Sequence, residues 1–184
     1  MPGTLKLNSG GAGNLILTPS GSVGSDVTVT VPAVTGTAMV SANIPVFSAN
    51  TQIGVGQSVG HDTTAKVTGL GEQYDTNNNY SSSRFTPTVA GYYQFNGTLT
   101  FSATSGRVYG IYFYIYKNGS AFISNYNGLT SNSNQNLCVN IAGPIYCNGS
   151  TDYVELYVFQ YDYTAASSIT ISSGIFAGYL VRAA

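Results

Sequence analysis

His61-Asp62 is the one place in the chain where a general base and a carboxylate able to orient it stand side by side, and Ser58 would supply the nucleophile of a hydrolytic triad. Neighbouring residues on an extended chain point to opposite sides, which opposes the hydrogen bond such a triad needs. A solvated loop histidine is expected instead. Glu72 and Glu155 are too isolated in sequence to argue for an acid–base pair. Asp75-Thr76-Asn77-Asn78-Asn79 opens like an EF-hand loop, but Tyr80 and Thr86 stand where the sixth-position Gly and twelfth-position Glu belong. An Asn-rich turn is expected there. Cys138 and Cys147, the only cysteines, are compatible with a bridge between neighbouring strands or across a hairpin and, more simply, with two small hydrophobes on or beside strands. The sequons at Asn79, Asn96, Asn118 and Asn148 are turn chemistry first, and Asn96 falls inside a strand. No catalytic residue, cofactor or metal ligand is assigned.

The strongest pattern is aromatic. From Val108 to Lys117, Tyr109, Ile111, Phe113 and Ile115 share one parity, and Tyr112, Tyr114 and Tyr116 the other. Val154, Leu156 and Val158 likewise oppose Tyr153, Tyr157, Phe159, Tyr161 and Tyr163, while Phe176, Gly178 and Leu180 oppose Ile175, Ala177, Tyr179 and Val181. A sandwich buries only the inner face of each sheet, so the second ring-bearing face needs a cover: sister subunits, a ligand such as a sugar, or more of the monomer core. Tyrosine suits an interface because its body is apolar and its hydroxyl can meet a partner or water. Tyr112, Tyr114, Tyr116, Tyr157, Phe159, Tyr161 and Tyr179 are the candidate interface residues.

The elements that must carry these rings are strands. Gly91 to Phe101 alternates with period two, Tyr93, Phe95, Leu99 and Phe101 against Gln94, Asn96, Thr98 and Thr100. Further strands are expected at Val46 to Ala49, Ala65 to Leu70, Gln73 to Asp75, Ala121 to Tyr126, Leu137 to Tyr146, Tyr153 to Tyr163, Ile169 to Ser172 and Ile175 to Val181. Asn118-Gly119 is a two-residue hairpin turn. Helical periodicity is absent, so the class is an all-β antiparallel sandwich.

Residues 1–42 form a separate extended arm, ahead of a head spanning 43–184. The arm holds three short strands, Leu5-Lys6-Leu7, Leu15-Ile16-Leu17 and Asp26 to Val31, which cannot bury an apolar face unaided. The 184 residues suffice for one domain plus an extension. Only 7% are charged, against about 25% in an average soluble protein, so the surface is largely neutral hydroxyl and amide. That is usual in extracellular or virion β-proteins rather than cytosolic enzymes. Lys6, Lys66, Arg84, Arg107, Lys117 and Arg182 are scattered and the net charge is -1, which disfavours nucleic acid. No apolar run approaches the ~18 residues of a membrane span, and the N-terminus lacks a charged-then-apolar signal.

Tyr74-Asp75, Phe85-Thr86-Pro87 and Ala90-Gly91-Tyr92-Tyr93-Gln94-Phe95, with Pro45-Val46-Phe47-Ser48-Ala49 and Ser173 to Val181 at matching distances, resemble the globular head of complement first-component subcomponent q, which shares the tumour necrosis factor jelly roll. The resemblance spans roughly residues 45 to 184 and departs at Thr104 to Gly106 and Gly128 to Asn136. It implies a homotrimeric jelly roll whose tyrosine rows pack about a three-fold axis. The arm, with Leu17-Thr18-Pro19 and Val29 to Thr37, is similar to segments of bacteriophage fibre and other virion proteins. Together these imply a non-enzymatic virion protein on the particle surface, the arm binding a coat or other virion protein and the head outward. Because the chain starts at Met without a large anchoring domain, a capsid decoration (cement) protein or short fibre is expected. The alternative is a fibre tip that grips a host-surface glycan.

Overall fold

The computed structural model describes residues 5–8, 14–17, 44–51, 56–105, 109–128, 136–161 and 168–184, and the chain divides into two units, Met1–Gly36 and Thr37–Ala184. In the first unit β1 (Leu5–Asn8) and β2 (Asn14–Leu17) pair antiparallel, Leu5 opposite Leu17. The strand expected at 26–31 lies outside the described residues.

The second unit holds β3 (Val46–Thr51), β4 (Gln57–Gly60), β5 (Thr64–Lys66), β6 (Leu70–Asp75), β7 (Tyr80–Ser81), β8 (Arg84–Phe85), β9 (Gly91–Ser105), β10 (Gly110–Lys117), β11 (Ser120–Gly128), β12 (Asn136–Cys147), β13 (Val154–Tyr161) and β14 (Ser168–Ala183). Among the described residues there is no helix. One sheet runs β11-β10-β13-β8-β7 with β5 also on β13, and the other runs β12-β9-β14-β3-β6 with β4 also on β14. Every pairing is antiparallel.

Period-two alternation puts Tyr93, Phe95, Leu99 and Phe101 of β9, with Ile111, Phe113 and Ile115 of β10, inside at 0–1% exposure. Phe47 is a hub of the core. Its ring stacks on Phe85 at 4.2 Å and meets Phe176 edge-on at 5.0 Å, an arrangement that adds to area burial. Gly178 makes room for this cluster, since a Cβ there would come within 2.8 Å of Phe47 and 2.7 Å of Phe95. At the corner before β9, the Tyr93 hydroxyl donates to the Val89 carbonyl at 2.7 Å, and burial pushes its pKa up.

Three expected strands are divided differently. The run from Ala65 to Leu70 is split, because Gly69 (φ +74°) turns the chain from β5 in one sheet to β6 in the other. Ile169 to Ser172 and Ile175 to Val181 instead form the single strand β14, whose register shifts between Ile171 and Ser173. A bulge accommodates an extra residue without ending the strand. Strands β4 and β7, too short to show periodicity, are additions.

Candidate functional site

The outer face of the β10–β13 sheet carries six of the seven candidate rings. Cross-strand register lines them up in rows: Tyr126, Tyr112 and Phe159; then Ser124, Tyr114 and Tyr157; then Tyr116 and Glu155. Tyr116 and Tyr157 stack at 4.0 Å, Tyr112 packs on Tyr126 at 4.6 Å, and Tyr114 meets Tyr116 edge-on at 5.6 Å. Tyr161 continues the same face beyond Phe159. All six are half-buried within one subunit. Burial, then the neighbouring Tyr116 and Tyr112, raises the Tyr114 pKa. These rings largely cover one another.

Tyr179, the seventh, is on the other side of the sandwich. There the outer residues of β12, β9, β14, β3 and β6 form successive rows: Tyr146 and Tyr92; Pro144, Gln94, Tyr179 and Val46; Ala142, Asn96, Ala177, Ser48 and Tyr74. Tyr92 and Tyr146 touch at 5.4 Å. Ile175 lies one row further along, and Val181 stands at the bulge beside Tyr92. Tyr74, Tyr92, Tyr146, Ile175, Tyr179 and Val181 are 39–54% exposed, whereas in the β10–β13 sheet the exposed large side chains are Phe122 and Tyr126 of its edge strand β11, so this face carries more of the open apolar surface.

The tyrosine rows of β10 and β13 end on a charged corner that the sequence does not announce. Glu155 has the outward parity of Tyr157 and Phe159 yet is only 2% exposed. Its Oε1 accepts from Lys66 Nζ at 2.7 Å and Arg84 Nε at 2.8 Å. Lys66 also donates to the Ser82 carbonyl at 2.8 Å, and the Arg84 guanidinium lies 3.9 Å above the Tyr153 ring. Burial alone would raise the Glu155 carboxyl; the Lys66 and Arg84 hydrogen bonds outweigh it and hold it below the ordinary carboxylate range. Burial, then the Glu155 charge, raises the Tyr157 hydroxyl. Residues 89 and 71 positions apart meet because β5 and β8 both pair with β13. The available signal was a lone Glu on an aromatic strand, which requires a partner if covered.

The remaining candidates resolve as follows. His61 Nε2 does reach Asp62 Oδ2, at 3.2 Å, which corrects the expectation from extended geometry: Asp62 has φ +45° and turns the chain. His61 is half-buried rather than solvated, and among the described residues no hydrogen bond joins Ser58 to it. Asp75 takes the Asn77 and Tyr80 backbone N–H groups on its two oxygens at 3.1 and 2.6 Å, as a turn-forming Asp does. Among the described residues no three His, Cys, Asp or Glu side chains are grouped for a metal. Glu72 is exposed on β6, in the other sheet from Glu155. Cys138 and Cys147 lie nine residues apart on one strand, β12, about 30 Å at ~3.3 Å per residue, and both are free. That removes the bridge. Burial, only partly countered by Lys117, pushes the Cys147 thiol up to about 12.

No family model matches the chain, and no curated protein sequence matches it significantly. Solved structures do. The globular domain of zebrafish complement 1qA has 13% identity and a TM-score of 0.51, covering 76% of this chain and 98% of that one. Eiger TNF from S. frugiperda has 10% identity and a TM-score of 0.55, covering 76% and 95%. Murine APRIL at pH 5.0 has 10% identity and a TM-score of 0.54, covering 76% and 100%. The head is a jelly roll. At these identities the likeness is one of fold alone: an all-β head of two antiparallel sheets, as in the jelly roll.

Proposed function

We propose that the chain is a non-enzymatic, homotrimeric structural protein of a bacteriophage particle, a capsid decoration protein or short fibre whose residues 1–42 attach it to a coat or shaft subunit. The observation that carries the assembly is the open outer face of β12-β9-β14-β3-β6, where six large apolar side chains stand 39–54% exposed. An apolar surface of this kind marks an interaction site. Domains of the complement and tumour necrosis factor type typically homotrimerise, which favours two further copies of this chain as the cover. The interface is thereby assigned to Tyr92, Tyr146 and Tyr179, and the β10 and β13 tyrosines are left to pack within each subunit. The β1–β2 hairpin, with too few strands to bury a core, fits an arm that adds to a neighbouring sheet. The 7% charge content and the arm's likeness to fibre segments support the particle setting.

Stripping the protein from particles tests this reading. Capsids without it are expected to break on heating or osmotic shock while still adsorbing to cells. Intact capsids that fail to adsorb would favour the second reading, a tip that grips a host-surface glycan, for which the charged corner of Lys66 and Arg84 supplies the observation.

A further inference from the structure

Two of the chain's six Lys and Arg residues meet where Lys66, Ser81, Ser82, Arg84 and Thr86 line an open depression of about 420 Å³. All five are polar. Glu155 balances one of the two cations, so one positive charge is left over. Lys66 commits two of its three protons, to Glu155 and to the Ser82 carbonyl. Arg84 commits Nε to Glu155 and its face to Tyr153, and among the described residues its Nη atoms make no hydrogen bond. The guanidinium is therefore fixed in place with its fork of N–H donors unspent. The two-residue turn between β7 and β8 has Ser82 at φ +52° and Ser83 at φ +56°, where Gly or Asn is usual. It sets the serine side of the depression.

These groups specify a ligand: one negative charge, a planar pair of acceptors for the fork, several hydroxyls for Ser81, Ser82 and Thr86, and little apolar surface. A phosphate monoester brings nearly two charges at neutral pH and would overcompensate the single spare cation. A neutral sugar would leave the fork unanswered. We propose that this corner binds a carboxylated sugar residue of a glycan, its carboxylate on Arg84 and Lys66 and its hydroxyls on the serines and Thr86. Tyr157, directly across the ladder from Lys66 and stacked on Tyr116, offers an aromatic neighbour for the next sugar. This inference rests on the glycan-binding reading and supplies its site and ligand class.

The test is a calorimetric titration of the full chain with three oligosaccharides of equal length: a glucuronate-containing one, its neutral glucose counterpart and a sulfated one. The glucuronate compound is expected to bind saturably with a Kd of about 1 mM, weakening as salt rises, and the other two at least about tenfold more weakly. Arg84→Lys keeps the charge beside Glu155 but loses the fork and the plane stacked on Tyr153, and is expected to cost about tenfold in affinity together with a lowered melting temperature. Ser81→Ala, which touches no ion pair, is expected to cost about threefold and serves if Arg84→Lys fails to fold. Equal binding of neutral and carboxylated compounds, or unchanged affinity in both variants, overturns this site and leaves glycan binding standing. Binding of none of the three overturns both.

Discussion

Glu155 illustrates what single residues contribute and how far a sequence discloses them. Its position in β13 was legible, since the alternation of Val154, Leu156 and Val158 fixes it as outward-facing. Its burial was not, because Lys66 and Arg84 arrive from strands far away in the chain. Its folded pKa lies below the ordinary value, so the stabilisation it provides is present above an unfolded-chain pKa of about 4.3 and is lost as pH falls through the folded one. Urea unfolding between pH 7 and pH 3 should show that loss, and Glu155→Gln should flatten it; an unchanged slope would contradict the ion triad. Lys66→Met, which strips the buried carboxylate of one partner, is expected to cost about 3 kcal/mol at pH 7. Asp152 behaves in the same direction: burial opposes its ionisation, but Asn118, Lys117 and the Asn148 N–H together lower its pKa. Among the thiols, a native-state alkylating reagent should leave Cys147 unmodified until the protein is unfolded, because that thiol is fully buried with its pKa at about 12.

At the scale of elements, turns explain why the strands end where they do. Asn118 (φ +52°) and Gly119 (φ +78°) make the two-residue turn that their types announce, and Asn118 further donates to Asp152 and accepts from the Tyr153 N–H. Asn148 Oδ1 gathers the N–H groups of Ser150, Thr151 and Asp152 at 2.9–3.0 Å, so two of the four sequons are turn devices as expected. Gly149 between them has φ +71°, and a Cβ would fall 2.4 Å from the Ala90 nitrogen. Gly149→Ala is therefore expected to destabilise by about 2–3 kcal/mol, read as a lower denaturation midpoint, whereas Asn140→Ala on an exposed strand face should cost far less. β9, β10, β12, β13 and β14 were legible because one face of each is buried, which enforces period two, whereas β11, with no buried residue, was legible as the return strand of the Asn118-Gly119 turn. β4 and β7, of four and two residues, are set by partners that local pattern does not encode.

For the whole molecule, the sequence shows that rings lie on both faces of several strands, but not which rings one subunit can cover by itself. That depends on neighbours across the sheet: Tyr112, Tyr114, Tyr116 and Tyr157 have aromatic neighbours on the next strand, while Tyr179 faces Gln94 and Val46 and stays open. The proposed three-fold interface lies on that open face. Tyr179→Glu should weaken assembly by setting a charge against apolar partners, and Tyr114→Ser should leave assembly intact. The most direct test is the mass of the purified protein by light scattering at micromolar concentration. A mass of three chains for the wild type, falling to one chain in Tyr179→Glu with the β-sheet circular dichroism retained, is the predicted result; a stable single chain in the wild type would contradict it.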